Sequence, residues 1–320
     1  MKETGPENFQ ARAMEVFCHQ AENNQLYKNY VEALGIVPDK VSQLEEIPFL
    51  PISFFKNHLI KTGEWQPEST FLSSGTTDTQ LSSRHLVRKM DDYLWVSQQI
   101  FQDFYGNPDD FHILALLPSY LDRQGSSLVK MVDHWIQSGG SHYSGFFNKD
   151  HDELAKRLKI ITATKQKALL IGVSFALLDF SEKYALDLQN VIIMETGGMK
   201  GRRKEMIRHE LHELLRSRFG TNRVHSEYGM TELFSQAYTV SNDRFSPPSW
   251  MKILVRETND PFSFCSPGDT GVLNIIDLAN LHTCSFIATD DLGKGYADGT
   301  FEVLGRMDNS DIRGCNLMIQ

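Results

Sequence analysis

FHILALL (111–117), KALLIGVSF (167–175) and NVIIMETG (190–197) are the stretches that decide the fold. Each is a short apolar run of strand length, bounded by polar or turn residues, and reads as a buried strand. Helical spacing fills the gaps, over 91–104, 126–137, 151–160 and 176–186, and returns over 201–218. Parallel strands need a crossover, usually helical, so the alternation predicts an α/β domain with a parallel-rich sheet. Beyond the two prolines of RFSPPSW (244–250) the texture changes to WMKILVRE, TGVLNIID and GTFEVLGR. These β-like runs predict a smaller β-rich subdomain from about residue 248. Upstream, Phe9, Ala13, Val16 and Phe17, then Leu26, Tyr30 and Leu34, lie near helical spacing. They predict an amphipathic helical lead within residues 1–45, stopped near Gly35 and Pro38. IPFLPISFFKNHLI (47–60), with two prolines, reads as an irregular packed segment rather than a strand.

The 320 residues are 41% hydrophobic and include 20 Phe, 10 Tyr and 4 Trp, which is ample material for a core and excludes a disordered chain. Asp and Glu number 41 against 32 Lys and Arg, a net charge of −9 that argues against a nucleic-acid partner. Cys18, Cys265, Cys284 and Cys315 show no CxxC spacing, so neither a structural zinc site nor a disulfide framework is expected. No apolar run opens the chain and none reaches the ~18 residues of a membrane span. The expectation is a soluble cytoplasmic protein with reduced thiols.

Four segments carry candidate chemistry. In FLSSGTTDTQ (71–80), Ser73, Ser74, Thr76 and Thr77 surround Gly75. Such a loop offers N–H groups and hydroxyls to a polyphosphate, although an ordinary Ser/Thr turn reads the same way. HSEYGMTELFSQ (225–236) sets Tyr228, Gly229, Thr231 and Glu232 within five residues: a ring for a purine, a hydroxyl for a phosphate, a carboxylate for Mg²⁺. The plainer reading is a helix start, with Thr231 as N-cap and Glu232 favouring the dipole. FIATDDLGKG (286–295) ends in two carboxylates and a Gly-containing turn suited to ribose hydroxyls, or is simply a β-turn. VLGRMDNSDIRGCNL (303–317) crowds Arg306, Asp308, Asp311, Arg313 and Cys315 together.

The ordered set SSGTT, YGMTE, TDDLG, GRMD resembles the signature of the adenylate-forming superfamily, which includes acyl-CoA ligases and luciferase. IPFLPISFFK, LLPSYLDRQGSSLVKMVD, ETGGMKG, SEYGMTELFSQAY and LGRMDNSDIRGCNL are similar to a narrower family. These are the acyl-protein synthetases of bacterial luminescence operons, the ATP-using component of a fatty-acid reductase. The resemblance spans roughly residues 45–320. It implies an adenylate-forming core over 1–304 and a hinge-like tail over 305–320.

Carried over, Ser73–Thr77 would grip the β- and γ-phosphates of ATP. Tyr228, Gly229 and Met230, with the Gly197–Gly198 loop, would form the adenine site. Thr231 would contact the α-phosphate and Glu232 would take Mg²⁺. Asp291 would hold the ribose and Arg306 would reach the nucleotide. Tyr120 matches the aromatic position beside the carboxylate substrate, and the strand end at Ser174 would wall the acyl pocket. Three departures stand out: Asp78 where glycine is common, TDDL where TGDL is usual, and a chain that stops just beyond Asp308. Most of the superfamily adds there a mobile C-terminal domain of about 100 residues, an ordinary domain size. The expectation is therefore an enzyme lacking that domain, in which Cys315 carries the acyl group as a thioester and Arg313 favours the thiolate. The acyl group would pass to a partner such as an acyl reductase or carrier protein. Two other readings are a CoA or carrier ligase core needing a separate C-terminal domain, and a non-catalytic nucleotide-binding subunit.

Three further motifs are weaker. HELHE (209–213) lacks HExxH spacing and reads as a solvated helix face. GVSFA (172–176) has Ala176 where a nucleophile elbow has glycine. Lys200, Arg202, Arg203 and Lys204 read either as a solubilising face or as guidance for polyphosphate. Packing roles are expected for Cys18, Cys265 and Cys284.

Overall fold

A computed structural model of the chain describes residues 6–73, 82–118, 124–197, 206–240 and 243–307. The helical lead is two helices, α1 (Pro6–Asn23) and α2 (Gln25–Ala33), broken at Asn24, whose side chain accepts from Tyr27 N and caps the second. After it come β1 (Leu50–Pro51), α3 (Phe54–Asn57) and the hairpin β2 (Ser69–Leu72) and β3 (Arg84–Val87). The alternating region runs α4 (Met90–Tyr105), β4 (His112–Leu116), α5 (Ser127–Gly139), β5 (Gly145–Phe146) and α6 (His151–Ala163). It continues with β6 (Ala168–Val173), α7 (Ser174–Lys183), β7 (Val191–Thr196), α8 (Arg208–Phe219), β8 (Val224–Tyr228) and β9 (Ala237–Tyr238). The last strands are β10 (Met251–Arg256), β11 (Thr270–Asp277), β12 (Phe286–Gly295) and β13 (Phe301–Arg306).

The expected parallel-rich sheet is present as six strands in the order β5-β4-β6-β7-β8-β9, parallel except for the β8–β9 pair. Alternate residues of β4, β6 and β7 face two different cores. Leu114, Leu170 and Ile193 pack with α6, α7 and α8, whereas Ile113, Ile171 and Met194 pack with α4 and α5. Both faces are covered, which is why these strands read as unbroken apolar runs. A second sheet orders β1-β12-β11-β10, with β13 also on β12. The irregular segment at 47–60 thus supplies one short strand, β1, parallel to β12.

Three sequence expectations need correction. The helix placed over 201–218 begins at Arg208; Met206 and Ile207 precede it in non-helical backbone, and 201–205 lie outside the described residues. The helix placed over 176–186 starts directly at Ser174 and ends at Lys183. The turn expected after Thr289 is absent: β12 continues to Gly295, with a register shift between Leu292 and Gly293. Gly293 has no room for a β-carbon against the Glu302 carbonyl, so the close approach of β13 requires glycine there.

The helical lead carries no motif, yet it closes the core of the second sheet. Phe17 is fully buried between Tyr27 and Phe286, with ring centroids 6.1 and 6.0 Å away. Gln20 donates to the carbonyls of Asn280 and Leu281 and accepts from Ser285 N. Among the described residues no helix is long and apolar enough to cross a membrane. Phe17→Ala is expected to lower unfolding free energy by about 3–5 kcal/mol, read from urea denaturation, because the site cannot collapse around the lost ring.

Candidate active site

The helix read after YGMTE does not form. Thr231 and Glu232 make a turn, and an irregular segment leads to β9, so the N-cap role of Thr231 falls. Buried side chains have taken the backbone groups a helix would use. Asp277 Oδ2 accepts from Phe234 N and Ser235 N at 2.8 and 2.9 Å, and its Oδ1 accepts from Ser235 Oγ at 2.7 Å. Asn280 Nδ2 donates to the Glu232 carbonyl at 2.9 Å. His85 on β3 meets the Thr231 carbonyl through Nδ1 at 2.7 Å and faces Asn280 and Thr283 through Nε2. Burial pushes the His85 pKa down to about 4, so the ring is neutral at physiological pH, and its one proton belongs on Nδ1, facing the carbonyl.

On the α8 side of the sheet, Tyr228 donates its hydroxyl to Asp291 Oδ2 at 2.8 Å. Arg306 is the register partner of Asp291 across β12 and β13, its Nε 3.8 Å from Oδ1. Burial raises the Asp291 pKa against the Tyr228 hydrogen bond and the Arg306 charge, and it drives the Tyr228 phenol far above its usual value. The tyrosine is therefore a fixed donor. Its ring packs on Phe245 and Phe301, and the Arg208 guanidinium lies 4.4 Å over Phe245. Glu232 is also buried, which raises its pKa against a Ser83 hydrogen bond and the charges of Arg306 and Lys56. Ser83 N in turn donates to Ser73 Oγ at 2.9 Å.

The described structure thus gathers Ser73, Tyr228, Gly229, Met230, Thr231, Glu232, Asp291 and Arg306 where the two sheets meet. Ser74, Gly75, Thr76, Thr77, Tyr120, Gly198, Asp308, Asp311, Arg313 and Cys315 lie outside the described residues, as does the basic cluster at 200–204.

Two carboxylates at the ends of β7 and β8 had no signal in the sequence reading. Glu195 accepts from Ser174 and Ser226 at 2.8 and 2.5 Å, with Arg208 and His212 each 3.8 Å away. Burial works against its charge, but the hydrogen bonds from His212, Ser226 and Ser174 and the Arg208 charge outweigh it and hold the carboxyl below the usual range. Ser174 is buried, with its hydroxyl directed at Glu195 and at the Gly197 carbonyl, an inward orientation unlike that of an exposed nucleophile. His212 corrects the solvated-face reading of HELHE: it is buried and pairs with Ser226, while His209 is exposed. Glu227 behaves oppositely to Glu195. It accepts from Thr196 Oγ1 at 2.5 Å, but burial, helped by the Glu195 charge, lifts its pKa to about 7.

Among the described residues no group of three or more His, Cys, Asp or Glu could hold a metal ion. Glu232 alone still fits Mg²⁺, which commonly takes one or two carboxylates and completes its shell with phosphates and water. Cys284 is buried and Cys18 and Cys265 half-buried, all three as free thiols. Burial raises the pKa of each, as befits packing positions.

A model of the family described as acyl-protein synthetase, LuxE, matches residues 147–320, more than half of the chain. This chain belongs to the acyl-protein synthetase family. No curated protein matches it by sequence. Among solved structures, 2-hydroxyisobutyryl-CoA ligase in its post-adenylation state with 2-HIB-AMP aligns at a TM-score of 0.69 and 13% identity, over 95% of this chain and 68% of that one. ATP-bound MatB from Rhodopseudomonas palustris aligns at 0.54 and 17% identity, over 74% of this chain and 47% of its own. At such identities the likeness concerns the fold, which is that of the adenylate-forming enzymes. The chain spans about half the length of MatB.

The raised Glu227 pKa has a consequence for stability. An acid whose folded pKa exceeds its unfolded value binds more protons in the native state, so stability is full below the unfolded value near 4.5 and falls as pH rises to about 7. Glu227→Gln removes that loss. Denaturation at about pH 5 and about pH 8 should show wild type losing up to about 3 kcal/mol more than the variant over this window.

Proposed function

We propose that this acyl-protein synthetase is an ATP-dependent, AMP-forming enzyme that activates a carboxylic acid and then carries the acyl group on Cys315. The observation that carries the reading is the hydrogen bond from Tyr228 to Asp291, with Arg306 beside it. Three signature positions far apart in sequence meet there, next to Glu232 and Ser73.

The acid's carboxylate oxygen attacks the α-phosphorus of ATP, and the bond to pyrophosphate breaks. Thr231 donates to the α-phosphate as charge builds on it. Asp291 accepts from the ribose hydroxyls, and the Tyr228–Gly197 region lines the base. Glu232 holds Mg²⁺, which when bound supplies charge neutralisation at the departing pyrophosphate. The Cys315 thiolate then attacks the acyl carbon of the mixed anhydride, AMP leaves, and a thioester remains. An acceptor protein, an acyl reductase or a carrier, takes the acyl group from the thioester.

The test is acid-dependent ATP–pyrophosphate exchange by the purified chain, with hydroxylamine-labile acylation of the protein as second readout. Glu232→Gln is expected to slow exchange by about tenfold or more while the protein stays folded, since it removes the metal-binding charge and retains the shape. Equal exchange by variant and wild type would return Glu232 to a structural role. Cys315→Ser is expected to abolish labile acylation while exchange continues, because adenylation needs no thiol. Persistent labelling of Cys315→Ser would remove the thiol from the mechanism.

A further inference from the structure

The strands β2 and β3 flank the Ser/Thr-rich segment at 73–77, and no sequence motif marks the histidine on β3. His85 is buried among three aromatic rings set edge to face. Phe71 lies across the hairpin with its centroid at 6.4 Å, Phe55 on α3 at 5.8 Å and Phe234 beyond the turn at 5.9 Å. These rings fix the plane of the imidazole and leave its two nitrogens to the polar groups around them.

Nδ1 lies 2.7 Å from the Thr231 carbonyl, and Nε2 lies 3.0 Å from both Asn280 Oδ1 and Thr283 Oγ1. Asn280 spends its amide protons on the Glu232 carbonyl, so only its oxygen faces the imidazole. A neutral histidine has one proton for two acceptors, the Thr231 carbonyl and Asn280 Oδ1. The Thr283 hydroxyl resolves the conflict, because it donates to Asn280 Oδ1 and also faces Nε2. Nε2 is left as an acceptor, and the imidazole proton goes to Nδ1. Two residues earlier, Ser83 hydrogen-bonds the Glu232 carboxyl group. The hairpin thus holds the turn at two consecutive residues, by the main chain of Thr231 and by the side chain of Glu232. An apolar residue would fill the place of His85 without the desolvation of an imidazole.

We propose that His85 is a positioning residue for adenylation, which sets the Thr231 hydroxyl and the Glu232 carboxylate relative to the hairpin that carries the polyphosphate segment. The inference rests on the adenylation reading and adds to it a residue outside the signature positions. His85 touches neither nucleotide nor acid. Its Nδ1–H holds the planar peptide group between Thr231 and Glu232, and the side chains on either side of that group inherit the placement. Burial pushes the His85 pKa down to about 4, so this donor is unchanged across physiological pH. A misplacement of ~1 Å at a reacting centre lowers the rate by up to about a hundredfold.

The experiment measures kcat for acid-dependent ATP–pyrophosphate exchange, normalised to folded protein by circular dichroism. His85→Phe removes both nitrogens. His85→Asn carries its amide nitrogen on Cγ, as the imidazole carries Nδ1, whereas His85→Gln carries it one carbon farther out, like Nε2. His85→Phe and His85→Gln are expected to lower kcat by about tenfold or more at an unchanged KM for the acid, and His85→Asn to recover to within about threefold of wild type. Thr283→Val keeps the ring and removes the proton that Nε2 and Asn280 share. The imidazole proton then moves to Nε2, the Thr231 carbonyl loses its donor, and kcat falls by about tenfold. That variant decides the matter if the His85 substitutions do not fold, and an unchanged kcat in it overturns the proposal. If His85 only packs, the variants lose stability but their folded fractions exchange at the wild-type rate, which also overturns it. So does His85→Asn falling as low as His85→Phe. Absence of exchange in wild type overturns the adenylation reading, and this inference with it.

Discussion

The buried carboxyl group of Asp277 holds the two sheets together where the signature side chains converge. It sits at the end of β11 in the second sheet and accepts from Phe234 N, Ser235 N, Ser235 Oγ and Ala279 N on the segments beside it. Asn280 and His85 add hydrogen bonds to the carbonyls of Glu232 and Thr231. The bonds to Asp277 oppose the desolvation of a fully buried acid, which still raises its pKa, and together with those of Asn280 and His85 they occupy backbone groups from Thr231 to Ser235 that a helix would use. Tyr228 and Glu232, at either end of the turn, keep their places relative to Asp291 on the other sheet.

Glu195 and Glu227 illustrate how neighbouring carboxyl groups are driven apart. They occupy opposite faces of adjacent parallel strands, close enough that the charge of one raises the pKa of the other. Glu195 has a guanidinium, an imidazole and two hydroxyls around it; Glu227 has one hydroxyl and aromatic rings. The low dielectric of the sheet interior amplifies that difference in partners. One group is thus an anion that fastens α8 to the strand ends, and the other is an acid that stays largely neutral below about pH 7.

The strands β4, β6 and β7 were legible because burial on both faces leaves them uniformly apolar. VHSEY, the strand β8, was not: its five residues are all buried, yet four carry polar groups, and their partners are Tyr105, His212, Thr196 and Asp291. Such satisfaction is a property of three dimensions and leaves no local pattern. The same holds for His85 and Asp277, which sit at strand positions that alternation alone assigns to any core residue. His212 was the one with a usable trace, since Leu211, His212, Leu215 and Phe219 share the inward spacing of α8. The two carboxylates of TDDLG stood out in the sequence, but the pairing of Asp291 with Arg306 did not, because neither TDDLG nor GRMD states its geometry. The continuation of β12 through Asp291 was missed for a physical reason: glycines that read as a turn serve instead to admit β13.

Gly229 shows how the same packing constrains the way this chain can vary. The space its β-carbon would need is occupied by the Glu227 carboxyl group, which Thr196 holds from the other side. A side chain at 229 therefore requires the end of the Glu227 side chain to move, at the expense of its hydrogen bond from Thr196. Conversely, once 227 is shortened, the bar against a larger residue at 229 is lifted. The two positions are coupled in mutational space, and a change at one alters what the other tolerates.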